Sequence, residues 1–400
     1  MSKEIFVTGI GIITALGNGV DENLRSLLDK RSGIGMLRHL KTIHSGFPVG
    51  EVKLSNNDMM QLLHILPDTI STRTSLMGML SVHEALQQTR LDNKDNLRIA
   101  FISGTTVGGM DKSEQYYNDF LTNDSKNAYI STHDCGTCTE MIADYFGIFS
   151  SVQTISTACS SAANAIMMGA LLLESGRADV VVVGGSECIT RFHLNGFNTL
   201  MILDKENCKP FDANRAGLNL GEGAAYIVME TERTMKARQV EPICRLTGYA
   251  NTCDAYHQTA SSPDGKGARL AMEKALKCAN LTSADIDYIN AHGTGTQNND
   301  LSEGIAIQHL FERCIPPVSS TKAFTGHTTS AAGGVEAVIS ILALQHNFIP
   351  VNLNFSNPMS ELAFAPALTD KPDKPLKHVL SNSFGFGGND TTLIFSKVKS

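Results

Sequence analysis

Apolar segments alternate with short polar turns along the chain, and this pattern predicts strands that lead into helices. Val152 to Ser156 (VQTIS) is rich in strand-forming residues, whereas Ala162 to Leu173 (AANAIMMGALLL) has the composition of a buried helix. A strand followed by a helix is the repeating unit of α/β folds. The turn between these two segments contains Cys159, so the pattern places this cysteine at the N-terminus of a helix.

Four segments of the first half recur in the same order in the second half, which indicates an internal duplication. The matched pairs are residues 5–9 with 243–248, 98–105 with 286–294, 154–159 with 318–323, and 221–230 with 387–396. Repetition in a fixed order is typical of a duplicated structural unit. We therefore predict an α/β protein of two similar halves, residues 1–240 and 241–400, that pack as a layered sandwich.

Composition narrows the class of protein. The 400 residues carry a net charge of −7, which argues against a nucleic-acid partner. No apolar run reaches the roughly 18 residues that a membrane span needs. The sequence enters a strand pattern without a signal-peptide pattern, and its nine cysteines form no secreted framework, so we expect a cytoplasmic protein.

Cys159 can be interpreted in two ways from its surroundings. A free cysteine is most often a buried, inert side chain. At a helix N-terminus, however, the unpaired N–H groups lower the pKa of a thiol and can stabilise an oxyanion, which favours a nucleophile. The duplication places His292 and the pair Lys322 and His327 on loops that should meet the Cys159 loop. A nucleophile with buried partners is therefore the stronger interpretation.

Two other cysteines, Cys135 and Cys138, form the only C-x-x-C of the chain. Structural zinc sites of this type need a second pair of ligands at a similar spacing. The sequence has no such pair, so we predict no metal site.

Four blocks of sequence resemble one enzyme family closely. They are TACSSA, NAHGTGT, STKAFTGH and NSFGFGG, at residues 157–162, 290–296, 320–327 and 382–388. In this order they resemble the elongating β-ketoacyl-acyl-carrier-protein synthases (types I and II) of the thiolase superfamily. The resemblance implies a thiolase fold, an αβαβα sandwich, and an acyltransferase that condenses malonyl-carrier with an acyl chain in fatty acid biosynthesis. It also implies an acyl carrier protein as partner and no cofactor beyond the carrier's phosphopantetheine.

The resemblance assigns roles to the residues that carry it. Cys159 would accept the acyl chain, and His292 and His327 would donate Nε2–H hydrogen bonds to the enolate formed by decarboxylation. Lys322, with Glu336, would hold His327 and the local charge network. A second role for Lys322, lowering the pKa of the Cys159 thiol, stays open.

The remaining family assignments concern the walls of the site. The N–H groups of Cys159 and Phe386 would form the oxyanion hole for the acyl carbonyl, and Phe386, with Phe384 beside it, would gate the acyl pocket. Thr294 and Thr296 form a hydroxyl pair that would hold the phosphopantetheine amides or would simply cap the turn in which they lie. Val107 lies near the family position that limits chain length.

The chain departs from the family pattern at three places. Common family members have Thr-Asn where this chain has Asn389-Asp390. The segment STHDCGTCTE, residues 131–140, puts polar side chains where a fatty acyl pocket would be apolar: His133, Asp134 and Glu140. The expected carrier-docking segment, residues 69–78, offers only Arg73, so the acidic carrier would be a dedicated one or would be met by three other cations instead: Lys209, Arg215 and Arg269.

These departures leave alternatives to fatty acid synthesis. A ketosynthase of a specialised type II polyketide or aryl-polyene pathway fits the polar segment. A non-condensing chain-length factor is disfavoured because such subunits lack the nucleophile, and a thiolase or initiating synthase is disfavoured by the second histidine. The family is dimeric, so we expect a homodimer in which VQTIS pairs across the twofold axis, or a heterodimer with a chain-length factor.

Overall fold

Strands and helices alternate through the whole of the part described by the computed structural model, residues 4–89, 91, 97–312 and 314–398. The strands are β1 (Ile5–Thr14), β2 (Gly17–Asn18), β3 (Ile99–Gly104), β4 (Ser151–Ile155), β5 (Val180–Glu187), β6 (Gly223–Thr231), β7 (Cys244–Cys253), β8 (Tyr288–Asn290), β9 (Val318–Ser319), β10 (His378–Gly385) and β11 (Asn389–Ser396). The α-helices are α1 (Val20–Leu28), α2 (Asn56–Leu62), α3 (Arg73–Gln87), α4 (Met110–Tyr116), α5 (Cys135–Phe146), α6 (Ser161–Glu174), α7 (Arg191–Thr199), α8 (Glu232–Arg238), α9 (Lys266–Ala279), α10 (Gln297–Phe311), α11 (Lys322–Thr325) and α12 (Ala332–His346).

The order of strands in the sheet is symmetric about its centre. It runs β4-β3-β5-β6-β1 and continues as β7-β11-β10-β8-β9, with β1 and β7 antiparallel at the middle. Each of the four sequence matches falls on two strands at mirrored positions: β1 and β7, β3 and β8, β4 and β9, β6 and β11. The predicted duplication is therefore present in the sheet, and β5 and β10 form a fifth pair that the sequence comparison missed.

Buried apolar side chains fill three layers in which helices pack against the two halves of the sheet. In the middle layer, α6 packs on β3 and β5, α12 packs on β6 and β10, and the two helices contact each other. On the outer faces, α3 covers β1 and β6, while α9 covers β7 and β11. The result is the predicted αβαβα sandwich, in which burial of both faces of each sheet half supplies the stabilising apolar area.

Helices α6 and α12 approach each other closely because small residues line their contact. A Cβ on Gly333 of α12 would lie 2.7 Å from the Cβ of Ala163 in α6, too close for any larger residue. This contact brings the N-termini of the two central helices, one from each half, to the same place. No helix among the described residues is both long and apolar enough to cross a membrane.

Candidate active site

Cys159 lies in a tight turn between β4 and α6, as the sequence predicts. The residue before it, Ala158, has a left-handed backbone with φ of 51°, a conformation that costs a non-glycine residue about 1–2 kcal/mol. Ser161 holds the turn, because its Oγ donates to Ala158 O at 2.6 Å and accepts from Thr157 N at 2.9 Å. Asn164 adds a bond from Nδ2 to Thr157 Oγ1 at 2.9 Å. The chain thus maintains an unfavourable conformation to fix the position of the thiol.

Two imidazoles from the second half face the thiol. The Cys159 sulfur and one ring nitrogen each of His292 and His327 lie within 4.8 Å of one another, and all three residues are buried. The two imidazole rings are 5.2 Å apart and nearly perpendicular. They border a cavity of about 300 Å³ whose lining includes Phe197, Met201, Thr294, Thr296, Phe384 and Phe386. The loops of the two halves therefore meet as the duplication predicts.

The thiol is less acidic than its helix position suggests. Burial raises the pKa of Cys159 to about 11, and the nearby Lys322 ammonium and the Phe386 N–H offset only part of this effect. The predicted lowering of the thiol pKa is therefore wrong for the chain without substrate, because desolvation exceeds the helix and charge effects. Cys159 is therefore a protonated thiol in this structure, and it would have to lose its proton to act as a nucleophile.

Lys322 contacts His292 and not His327, which corrects the predicted arrangement. Its Nζ lies 2.5 Å from the carbonyl oxygen of His292 and 3.2 Å from Nδ1 of the same residue, and it also bonds to Glu336. An ammonium has three donors, and these three acceptors use all of them. Nδ1 of His292 is therefore an acceptor, so its proton sits on Nε2. The network fixes His292 as an Nε2–H donor.

The acidic member of the buried ion pair, Glu336, has a raised pKa. Burial raises the pKa of Glu336 to about 7, and the Lys322 ammonium opposes this shift. Glu336 also accepts from Ser383 Oγ at 3.4 Å. The predicted partnership of Lys322 with Glu336 is present in the structure.

His327 is held differently. Burial and the Lys322 charge hold the pKa of both imidazoles well below its ordinary value, so both are neutral. Among the described residues, however, Nδ1 of His327 has no hydrogen-bond partner. Buried ring nitrogens normally have a partner that selects one tautomer. Nothing in the described chain therefore fixes which nitrogen of His327 carries the proton.

The glycine-rich turn between β10 and β11 covers the cavity. We call residues 385–388 (GFGG) the gate loop. Phe386 stacks on Phe197 of α7, with ring centroids 6.0 Å apart and planes at 21°, and Phe384 lies 5.9 Å from His292. The N–H of Phe386 lies near the Cys159 thiol and acts to lower its pKa. The loop thus closes over the thiol from the second half and rests on a helix of the first half.

The other predicted wall residues lie in two different places. Thr294 and Thr296 line the cavity, and their hydroxyls bond to each other at 2.9 Å. Thr296 also caps α10, so the capping role that was left open is present. Val107 is buried, and its N–H donates to the Glu187 carboxylate at 2.8 Å. It does not border the cavity that contains Cys159.

Two cations that were considered for carrier docking are buried, which corrects those predictions. Arg73 pairs with Glu222 at 2.6 Å and is 7% exposed. Arg215 is 6% exposed and donates to three backbone carbonyls. Lys209 and Arg269 are accessible, although each pairs with a nearby glutamate. The charge of Arg73 is thus neutralised inside the fold and is not presented to a carrier protein.

The polar segment 131–140 does not line the thiol cavity. His133, Asp134 and Glu140 are exposed, and Asp134 caps α5 by accepting from Gly136 N at 2.7 Å. The thiols of Cys135 and Cys138 contact different partners, Thr106 O at 3.2 Å and Thr72 Oγ1 at 3.1 Å. The prediction of a polar acyl-pocket wall from this segment is therefore wrong for the single chain.

Two residues that shape the site were missed from the sequence. Glu303 of α10 accepts from the N–H groups of His292 and Gly293 at 2.9 and 2.8 Å, and burial raises the pKa of this carboxyl to about 7. A helix acid 11 positions after His292 gives little sequence signal. Phe197, the stacking partner of the gate, is one apolar residue in an ordinary helix, so no local pattern distinguishes it.

The sequence matches one family over both halves. The family model described as "Beta-ketoacyl synthase, N-terminal domain" matches residues 2–234, and "Beta-ketoacyl synthase, C-terminal domain" matches residues 243–356. The chain belongs to the β-ketoacyl synthase family. It is therefore an acyltransferase with condensing chemistry, and the predicted family is confirmed.

Named relatives of this β-ketoacyl synthase cover its full length. The chain is 31% identical to 3-oxoacyl-[acyl-carrier-protein] synthase 2 of Vibrio cholerae over 100% of both chains. It is 32% identical to the protein of the same name from Synechocystis, over 99% of this chain and 98% of that one.

Solved structures of ketosynthases have the same fold. One is "The ishigamide ketosynthase/chain length factor", with a TM-score of 0.92, 26% identity and full coverage of both chains. Another is the ketosynthase ApeO in complex with its chain length factor ApeC from Xenorhabdus doucetiae. Its TM-score is 0.86 at 30% identity, covering 99% of this chain and 98% of that chain. These likenesses identify the fold as the predicted thiolase fold.

Proposed function

We propose that this β-ketoacyl synthase elongates an acyl chain held on Cys159 by decarboxylative condensation with malonyl-[acyl-carrier-protein], in fatty acid biosynthesis. The observation that carries the proposal is the meeting of one buried thiol with two neutral imidazoles, one of which is fixed as an Nε2–H donor. The thiol supplies a nucleophile for acyl transfer, and the imidazoles supply uncharged donors for an oxyanion.

In the first half-reaction, the Cys159 sulfur attacks the thioester carbonyl of the acyl carrier. A new S–C bond forms, the carrier's C–S bond breaks, and the N–H groups of Cys159 and Phe386 stabilise the oxyanion. The thiol proton needs an acceptor because the pKa of Cys159 is about 11. His292 carries its proton on Nε2, so His327 takes the thiol proton and returns it to the departing carrier thiolate.

In the second half-reaction, malonyl-carrier loses CO2 and forms an enolate. Nε2–H of His292 stabilises its oxyanion, and His327, whose tautomer nothing in the described chain fixes, does the same in its Nε2–H form, each such donor being worth about 3–4 kcal/mol. The enolate carbon attacks the acyl carbonyl, the S–C bond to Cys159 breaks, and the released thiolate takes up one proton from solvent. The three donor atoms are also a set that Zn²⁺ accepts, but the Lys322 ammonium bonded to His292 opposes a second cation there, so the proposal includes no metal.

Residues in and around the cavity are assigned to the phosphopantetheine arm of the substrate and to the carrier protein that bears it. Thr294 and Thr296 would hold the phosphopantetheine of an acyl carrier protein, with Lys209 and Arg269 available to its acidic surface. No cofactor takes part. We place the protein in the cytoplasm and propose halves that divide near residue 240.

Strand β4 supports a dimer. It ends the sheet, and the first three of its five residues, Ser151 to Gln153, are exposed. An edge strand of this kind is a template for pairing with a second chain. We propose that β4 pairs across a twofold axis, in a homodimer or in a heterodimer with a chain-length factor.

A specialised polyketide or aryl-polyene pathway is the second candidate. It is favoured by the likeness to two ketosynthases whose structures are described with a chain length factor. A chain-length factor itself is not proposed, because Cys159 is present.

The test is the intact mass of the protein after incubation with saturated and polyunsaturated acyl carriers, followed by malonyl-carrier. We expect a saturated acyl adduct on Cys159 and release of a product longer by two carbons, and no adduct on the Cys159→Ala variant. Loading by conjugated chains only, or only with an added partner subunit, would support the specialised pathway. Condensation by Cys159→Ala would contradict the nucleophile assignment.

A further inference from the structure

The gate loop rests on a neighbouring loop that begins at Asp254. Asp254 N donates to Gly388 O at 3.2 Å, and Gly387 N donates to Gln258 O at 2.8 Å. The Asp254 carboxylate lies directly beneath the loop, since a Cβ on Gly388 would be 2.3 Å from its Oδ1. Each carboxylate oxygen accepts one backbone N–H, from Tyr256 at 3.1 Å and from Ser262 at 2.9 Å. Each oxygen therefore keeps a lone pair for one more donor.

A second carboxyl group, Asp390, lies beside Asp254. Asp390 is the second residue of β11, the return strand after the gate loop, and is 2% exposed. The position of a Cβ on Gly267 is 2.1 Å from Oδ2 of Asp390 and 2.5 Å from the Cβ of Asp254, so the two side chains meet there.

The surroundings of Asp390 disfavour a charge. Among the described residues no cation and no hydrogen-bond donor contacts its carboxyl group, and the two charges that act on it are both acidic: Asp254, which follows β7, and Glu303 of α10. The other elements packed on it present uncharged groups: Thr252 and Phe384, its neighbours on β7 and β10, and Gly267 of α9. Burial and the two acids raise the pKa of Asp390 to about 8.

We propose that Asp390 holds a proton while the gate loop is closed and that its contact with Asp254 positions the loop, so that ionisation of Asp390 releases the loop from its closed position. The protonated Asp390 donates to the free lone pair of Asp254, which stabilises the acid beneath Gly388. Loss of that proton leaves the buried Asp390 carboxylate beside the partly exposed Asp254 carboxylate, and their repulsion favours movement of the gate loop toward solvent. The proposal rests on the gate role that the proposed function gives to residues 385–388.

The direction of the pH effect follows from the raised pKa. Opening exposes Asp390 to water and returns its pKa toward the ordinary carboxyl range of about 4. Opening therefore becomes easier as pH rises, by up to about tenfold per pH unit, and the effect levels off above the closed-state value of about 8. The gate loop is held most firmly in mildly acidic solution.

Deuterium exchange of the peptide that contains residues 384–390 tests the proposal without any substrate. Between about pH 6 and pH 8, we expect protection of the Gly387 and Gly388 amides to fall at least about tenfold, after correction for the intrinsic exchange rate. Asp390→Asn should show no such change, because its amide donates to Asp254 at every pH. Asp373→Asn, an exposed acid far from the gate in sequence, is the matched control and should behave as the parent protein.

Two results would overturn the inference. One is protection that does not change with pH in the parent protein, and the other is an equal change in Asp390→Asn. If Asp390→Asn does not fold, Asp254→Asn tests the pair from the other side and should weaken the pH dependence. Loss of condensation with the expected exchange behaviour would instead count against the proposed function and leave the acid pair in place.

Discussion

The two halves of the molecule use the same strand–loop–helix unit for opposite purposes. In the first half, the loop between β4 and α6 is a short turn that presents Cys159 with a left-handed Ala158 before it. In the second half, the loop between β9 and α12 is longer, contains the short helix α11, and presents Lys322 and His327. In the proposed mechanism, one copy supplies the nucleophile, and the other supplies the groups that handle protons and negative charge.

The two loops are also held by different forces. Neutral hydrogen bonds fix the first, chiefly those of Ser161 and Asn164 with Thr157 and Ala158. A buried ion pair between Lys322 and Glu336 fixes the second. Neutral bonds are each worth about 1 kcal/mol, whereas an unpaired buried charge costs several. The loop that presents Lys322 and His327 therefore depends more strongly on a single interaction than the loop that presents Cys159 does.

Removal of Lys322 should have the largest effect on stability. Lys322→Met leaves the buried Glu336 without its partner, so we expect the free energy of unfolding to fall by about 3–5 kcal/mol. Urea unfolding followed by circular dichroism measures it. The double variant Lys322→Met with Glu336→Leu should recover much of this loss, because it buries no unpaired charge.

The matched change in the other half is Ser161→Ala. It removes two neutral hydrogen bonds of the nucleophile loop and should cost only about 1–3 kcal/mol in the same urea experiment. A larger loss for Ser161→Ala than for Lys322→Met would contradict the difference between the two loops.

The two histidines should separate the half-reactions. In a Cys159→Gln background, which by family analogy mimics the acylated site, His292→Ala and His327→Ala should each slow malonyl decarboxylation about 10²- to 10³-fold. With Cys159 present, only His327→Ala should also slow acylation strongly, because the bond from Lys322 leaves His292 no Nε2 lone pair to accept the thiol proton.

Carbon dioxide release and intact mass measure the two steps separately. Acylation that depends equally on both histidines would remove the distinction between them. Unchanged decarboxylation in either variant would mean that the imidazole in question does not stabilise the enolate.

The sequence was sufficient for the elements and for the meeting of the loops, because both follow from local patterns repeated in two halves. It identified β4, α6 and the three groups Cys159, His292 and His327. The contacts that pass between distant segments could not be read from it. The bond from Lys322 to His292 depends on how two loops cross, and the burial that raises the thiol pKa depends on the whole packed site. Arg73 shows the same limit, since its pairing with Glu222 spans 149 positions.

The smallest predicted effect concerns the contact that joins the halves at the gate. Phe197 belongs to the first half and Phe386 to the second, and their stacked rings are worth about 0.5–1.5 kcal/mol beyond the area they bury. Phe197→Leu keeps an apolar residue but removes the stacking, so opening of the gate loop should become about 2- to 10-fold easier. Amide exchange at Gly387 measures this change. Phe192→Leu, an exposed residue on the same helix, should leave the exchange rate unchanged. Slower or unchanged exchange in Phe197→Leu would show that the acid pair and the backbone bonds hold the gate without help from the first half.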